Sequence, residues 1–197
     1  MNELYERQKE LNLEIPNKAT VLGCGGVGFW VAYDLAMIGT KEITLIDHDV
    51  VEAHNLNRCG WEPHLIGENK AVATAKMVTK IRDLTLHPLT MHIDNCEPFQ
   101  NILFEPFFDN RDSDADLPDF CPSPIITGGY DGLQGTLHFH PKTKSFGDEE
   151  TEVTYSVTPS FLVPAQIIAC YKVLFACSPK RTKKEKIINI DFEEMIM

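Results

Sequence analysis

Long apolar runs, basic patches and paired cysteines are missing from this sequence, and each absence removes a class of protein. No stretch approaches the roughly 18 consecutive apolar residues of a membrane-spanning helix, so no membrane association is expected. The opening "MNELYERQKELNLEIPNK" is charged and holds no apolar signal core, which points to a cytoplasmic protein. Acidic residues outnumber basic ones 29 to 18, for a formal charge of −11. A nucleic-acid backbone is gripped by clustered Lys and Arg, so nucleic acid is not an expected partner. The one basic cluster, "KRTKKEK" over residues 180–186, reads as a solvated loop. None of the six cysteines forms a C-x-x-C pair, which argues against a zinc ribbon and a disulfide framework.

The 197 residues fit one domain spanning 1–197, with a core large enough to need no staples. "LYERQKELNL" predicts a leading helix and "ATVLG" a strand that runs into a glycine turn. Val27, Val31, Leu35 and Ile38 then share one helical face, with Gly39 placed as a C-cap, and "EITLID" predicts the next strand. Strand, glycine turn, helix and strand make a βαβ unit. The expected fold is therefore α/β, a Rossmann-like, mostly parallel sheet flanked by helices. A second helix is expected from about Glu68 to Leu84, with Ala73, Met77, Ile81 and Leu84 on one face, and "LTMHID" reads as a third strand. The acidic, proline-bearing segment of about 105–123 reads as an exposed insertion. "PIIT" predicts a short buried strand stopped by Gly128 and Gly129. "GTLHFHP" and "TEVTYSV" predict an antiparallel extension, before a helix from Phe161 to Cys177 and a last strand "KIINIDF".

The chemistry concentrates after the first strand. "GCGGVG" supplies Gly23, Gly25, Gly26 and Gly28 in the G-x-G-x-x-G spacing between a strand and a helix. Glycine lets backbone approach phosphate, and a helix N-terminus offers unpaired N–H groups to an anion. Such turns also serve tight strand–helix packing. Asp47, about 20 residues on, stands where a carboxylate takes ribose hydroxyls, with Asp49 two residues further. Asn55, Arg58 and Lys70 follow. A dinucleotide enzyme has no evident task for that arginine and lysine. Cleavage of ATP between its α- and β-phosphates does, because charge builds on the leaving pyrophosphate.

These residues together resemble the ThiF/MoeB-type adenylating family, whose fold is shared with ubiquitin-activating enzymes. "LIDHDVVEAHNLNR" is similar to that family's L-x-D-x-D-x-V-x-x-x-N-L-x-R, and "IGENKAVATAKMV" to its I-G-x-x-K-a-x-x-A. The resemblance implies an ATP- and magnesium-dependent adenylyltransferase that activates a carboxylate, the tail of a ubiquitin-like or sulfur-carrier protein. Asp47 would hold the ribose, and Asn55, Arg58 and Lys70 the phosphates. "YERQ" resembles the family's R-Y-x-R-Q, with Leu4 in place of the first arginine; Arg7 would then enter a partner subunit's site in a homodimer. The family's magnesium aspartate lies in a D-a-T-D-N segment after a buried strand, and "IITGGYDG" makes Asp131 the metal candidate. No cysteine lies between Asp131 and Phe161, where the family's thioester residue falls.

Other residues have plainer readings. Cys170 and Cys177 read as packing residues on one helix face, Cys24 as buried in the loop, and Cys121 as the best exposed thiol. His138 and His140 share a strand face but have no third ligand at useful spacing. The acidic segment lacks the glycine-and-glutamate frame of a calcium loop. Two alternative functions share parts of the pattern. One is a nucleotide-binding scaffold of the same fold that works with a partner protein. The other is an NAD-dependent oxidoreductase, resting on the glycine loop and Asp47 alone.

Overall fold

The computed structural model describes residues 3–112, 115–140, 160–178 and 186–194. A mixed sheet of seven strands runs in the order β3-β2-β1-β4-β5-β6-β7. Its strands are β1 (Lys18–Leu22), β2 (Glu42–Ile46), β3 (Thr85–Leu89), β4 (Phe107–Asp109), β5 (Ile125–Asp131), β6 (Gln134–His140) and β7 (Lys186–Asp191). The first five are parallel, and β6 pairs antiparallel with both β5 and β7. The helices are α1 (Glu6–Lys9), α2 (Gly26–Ile38), α3 (Lys70–Thr79) and α4 (Leu162–Ala176). The expected α/β class, parallel core and antiparallel extension are all present. Among the described residues, no helix is long and apolar enough to cross a membrane.

One face of the sheet presents Val21, Ile43, Leu45, Phe108 and Ile126 to α2, α3 and α4 in a single core. Each fully buried Val, Leu or Ile there contributes roughly 1.5–3 kcal/mol. The predicted face of α2 is buried at Val27, Val31 and Leu35, and Phe29, Ala32 and Ala36 are buried too, because α2 is enclosed by more than the sheet. Gly39 ends it in the left-handed conformation, at φ 110°. The other face carries Leu22, Ile46, Phe107 and Ile125, covered by short 3-10 turns at Ile93–Asn95 and Glu97–Ile102 together with Leu117 and Cys121.

Several expectations need correction. The segment expected as an exposed insertion contains β4, whose three residues are all buried between β1 and β5, and its Leu117 and Cys121 are buried as well. A short parallel strand covered on both faces shows no alternation, and three residues between prolines carry no period to read. The third strand lies at Thr85–Leu89 rather than residues 89–94. Pro88 argues against a strand, but β3 is the sheet edge, where proline is tolerated. β5 runs through Gly128 and Gly129 to Asp131. At Gly128 a Cβ would lie 2.3 Å from the Thr136 carbonyl oxygen, so glycine there permits the pairing rather than ending it. The partners of β6 are β5 and β7; "TEVTYSV" lies outside the described residues, as do residues 180–185 of the basic run. The leading helix is reduced to Glu3–Tyr5 and Glu6–Lys9. α3 stops at Thr79 and buries Ala71, Thr74, Ala75 and Val78 beside Ala73, so its inner stripe is offset from the expected one. Cys170 is exposed, not packed inside, and only Cys177 of that pair is buried.

Between α2 and α4, the Cys170 thiol donates to Asp34 Oδ2 at 3.5 Å. Burial raises the Asp34 carboxyl to about 6 from 3.8, with the Cys170 hydrogen bond pulling the other way. A raised folded-state pKa contributes stability that is complete below pH 3.8 and is lost as pH rises through 6. Asp34→Asn should therefore match the parent near pH 4 and exceed it at pH 8 by about 1–3 kcal/mol, measured by denaturant unfolding at both pH values.

Candidate functional site

The strand order reverses at β1, with β2 on one side and β4 on the other, and the crevice at the C-terminal ends of these strands is where open α/β sheets take ligands. The glycine loop leaves β1 at this point. Gly23 adopts φ +75° and donates its N–H to the Ile46 carbonyl at 2.8 Å. A Cβ on Gly28 would stand 1.7 Å from the Gly23 carbonyl oxygen, so the loop closes on the first turn of α2 only with glycine there. Gly25 differs: nothing lies within 4 Å of the Cβ position. It is also the N-cap of α2 and supplies no side-chain cap. The positive end of a 13-residue helix is thus left without a side-chain cap, beneath an open approach.

Asp47 holds this loop in place. Its Oδ2 accepts the Cys24 N–H at 2.7 Å and its Oδ1 the Asp49 N–H at 2.8 Å, and the residue is buried. Each oxygen keeps lone-pair capacity for a further donor. Arg58 reaches in from the turn Ala53–Asn57, with its Cδ 3.1 Å from the Cβ position of Gly26, so the guanidinium stem lies across the start of α2. Its Nη1 donates to the His54 carbonyl and the Asn57 Oδ1, and the Trp30 indole N–H holds its carbonyl at 2.7 Å. Asn55 is buried and accepts the Glu52 N–H, so its carbonyl oxygen serves the turn that carries Arg58.

Lys70 opens α3, and its Nζ lies 2.9 Å from Asp49 Oδ2. That ammonium holds the Asp49 carboxyl below its usual range, against a smaller opposing effect of burial. Asp49 is half exposed, so the pair contributes at most about 1 kcal/mol and an incoming phosphate can displace it. Asn69 caps α3 with Oδ1, while its Nδ2 donates to the carbonyls of Asp47 and Asp49. The N-terminus of α3 is therefore filled where that of α2 is open. The charges of Arg58, Lys70 and Asp47 are all felt at the buried Cys59 thiol, although burial has the largest effect on it.

Not every predicted residue joins them. Arg7 is exposed on α1, where Gln8 bonds the Ile38 carbonyl and Tyr5 packs on Gly39. That is the far end of α2, about 20 Å from the glycine loop. Asp131 ends β5 four residues past Thr127, the partner of Asp109 at the end of β4, and so stands about 13 Å above the row where the loop begins. Its Oδ1 is buried with no hydrogen-bond partner among the described residues. The neighbouring Tyr130 hydroxyl donates to the Phe161 carbonyl at 3.2 Å, and burial raises its pKa although Arg58 pulls it down. Sequence reading missed a segment that borders the loop. β4 ends in Asp109, the N–H of the following Asn110 bonds the Leu22 carbonyl at 2.8 Å, and exposed Asp112 lies just beyond. Asp109 itself is tied bidentately to Arg111.

Burial raises the Cys24 thiol, carries Cys59 and Cys121 to about 12, and carries Cys96 and Cys170 to about 11, so none of these is a ready nucleophile. Cys121, expected to be exposed, is under Leu117 and the second core. Asp47, His48 and Asp49 bring potential ligand atoms within 4.8 Å of one another. With Lys70 on one carboxylate and backbone N–H groups on the other, that cluster does not suit a cation.

The ThiF family model matches residues 6–191. The Adenylyltransferase and sulfurtransferase MOCS3 of Xenopus laevis is 30% identical over 177 residues, covering 88% of this chain and 35% of that protein. The Ubiquitin-like modifier-activating enzyme 5 of Rattus norvegicus is 26% identical over 165 residues, covering 81% of this chain and 38% of its own. The chain thus spans little more than a third of the length of these relatives. Among solved structures, E. coli MccB with ATP superposes with a TM-score of 0.61 at 18% identity, over 89% of this chain and 63% of its own, a likeness of fold.

The loop glycines have separable tasks. Gly28→Ala should cost about 3 kcal/mol or more through its clash with the Gly23 carbonyl. Gly25→Ala should cost no more than about 1 kcal/mol yet weaken ATP binding at least about ten-fold, because its methyl fills the open approach. Thermal unfolding and calorimetric titration with ATP separate the two. Unchanged ATP affinity in Gly25→Ala would remove the loop from the binding site.

Proposed function

Since the chain belongs to the ThiF family, we propose that it is an ATP-dependent adenylyltransferase acting on a carboxylate. The observation that carries this reading is the α2 N-terminus without a side-chain cap, open at Gly25 and bordered by Asp47, Arg58 and Lys70. A carboxylate oxygen attacks the α-phosphorus of ATP, the bond to the bridging oxygen breaks, and pyrophosphate leaves with the electron pair. Asp47 accepts from the ribose hydroxyls. Asn55, Arg58 and Lys70 meet the phosphates, and Lys70 exchanges Asp49 for the leaving group, so the cation is in place before charge develops. Asp49 thereby acts as a parking site for the lysine.

Magnesium would neutralise phosphate charge and favour the leaving of pyrophosphate. The Asp131 Oδ1, without a partner among the described residues, fits a cation ligand for phosphates that extend well beyond the loop. Asp112, exposed just beyond β4 and three residues after Asp109 as in the D-a-T-D spacing, is the second candidate. Arg7 can serve only the site of another copy, so the proposal includes a homodimer. The substrate in this reading is the C-terminus of a ubiquitin-like or sulfur-carrier protein, and it is supported by relatives named as a ubiquitin-like modifier-activating enzyme and as an adenylyltransferase and sulfurtransferase. A nicotinamide reading would leave Arg58 and Lys70 without a task.

ATP–pyrophosphate exchange, measured with co-purified small proteins added back, tests the proposal. Lys70→Ala and Arg58→Ala should each lower exchange by about 10²–10³-fold while leaving thermal unfolding within a few degrees. Parent-like exchange in both variants would refute the phosphate assignment. Tight ATP binding by the parent without exchange would favour the scaffold that works with a partner protein.

A further inference from the structure

Lys172 is fully buried on α4, an uncommon position for a lysine, and nothing in the proposed chemistry uses it. Its Nζ donates to the Asp109 carbonyl at 3.0 Å and to Asn110 Oδ1 at 2.6 Å. Asn110 in turn fixes the glycine loop from below. Its N–H and its Nδ2 both donate to the Leu22 carbonyl, at 2.8 and 3.1 Å. The Cβ position of Gly23 lies 2.9 Å from the Asn110 carbonyl carbon and oxygen, and that of Gly28 lies 3.2 Å from Asn110 Nδ2. Asn110 is thus the floor against which the loop closes, and its side-chain oxygen is held by Lys172.

We infer that Lys172 is a positioning residue for the nucleotide loop, acting through Asn110 to set the height of Gly23 and Gly28 beneath the phosphates. The role in binding rests on the ATP-site reading above; the mechanical role does not. Burial lowers the amine to about 7, with Asp109 opposing. This does not disable the device, since a neutral amine keeps two hydrogens for its two acceptors. Removing the amine leaves the Asp109 carbonyl and Asn110 Oδ1 without their buried donor. The floor is then free to shift while the apolar surroundings of α4 stay filled.

The test is amide hydrogen exchange on the nucleotide-free protein, joined to calorimetric titration with ATP and magnesium. Lys172→Met keeps the bulk and removes the donors. Asn110→Ala breaks the contact from the other side, with the lysine intact, should the first variant not fold. Ile168→Ala, on the same helix and fully buried, controls for general loosening. In both loop-floor variants exchange should quicken ten-fold or more at residues 22–28 and 107–111, with β2 and α3 unchanged, and ATP affinity should fall at least ten-fold. Ile168→Ala should show no such selectivity. Unchanged exchange in the loop, or the same pattern in Ile168→Ala, overturns the positioning role. A loosened loop with undiminished ATP affinity overturns its part in binding. Selective loosening in the variants of a parent that itself binds no ATP upholds the mechanical role and refutes the ATP site instead.

Discussion

The carboxylate of Asp47 is the constraint on which the site depends. It accepts one N–H from the glycine loop and one from the segment leading to Lys70, so a single buried side chain ties the ends of β1 and β2 together. Charge-assisted hydrogen bonds of this kind are about twice as strong as neutral ones. Lys70 meets Asp49 only because Asp49 is held in this turn, and Asn69 braces the same turn from the α3 side. The arrangement leaves the α2 N-terminus without a side-chain cap while Asn69 caps α3.

Two supports bring cations to that opening without spending them on it. Arg58 is steadied by its own turn and by Trp30, and it lies over Gly26, where any side chain would obstruct it. Lys70 rests on a half-exposed carboxylate. A cation buried on a strong partner would be costly to release, and one in open water would lose entropy on binding. The weak pair between these extremes suits the change of partner proposed for Lys70.

What could be read from the sequence follows the physics of each element. The βαβ unit was legible because strand, turn and helix each carry a local pattern, and the spacing of Asp47, Arg58 and Lys70 is local too. β4 was not legible. It is three residues long, and its identity depends on β1 and β5, which lie far away in the chain. Reading it as insertion hid Asn110, a residue that bonds the end of β1 beside the loop. Lys172 was hidden for the opposite reason. In an apolar helix a lysine reads as the solvent-facing position, and only the tertiary contact with Asn110 shows it pointing inward.

The same topology explains why Arg7 cannot be a residue of its own chain's site. α1 is bound to the C-terminal end of α2, and the glycine loop to the other end, so a rigid helix separates them. Shortening that distance would require α1 to give up the Ile38 carbonyl and the Tyr5 contact with Gly39. In the proposed homodimer a two-fold pairing of chains would have to bring the α1 of each copy to the other's site, using the same surface patch on both. Under that arrangement each site is completed by the opposite chain, and monomers would bind nucleotide with the loop, Asp47, Arg58 and Lys70 alone. Affinity for ATP would then survive dilution better than turnover does.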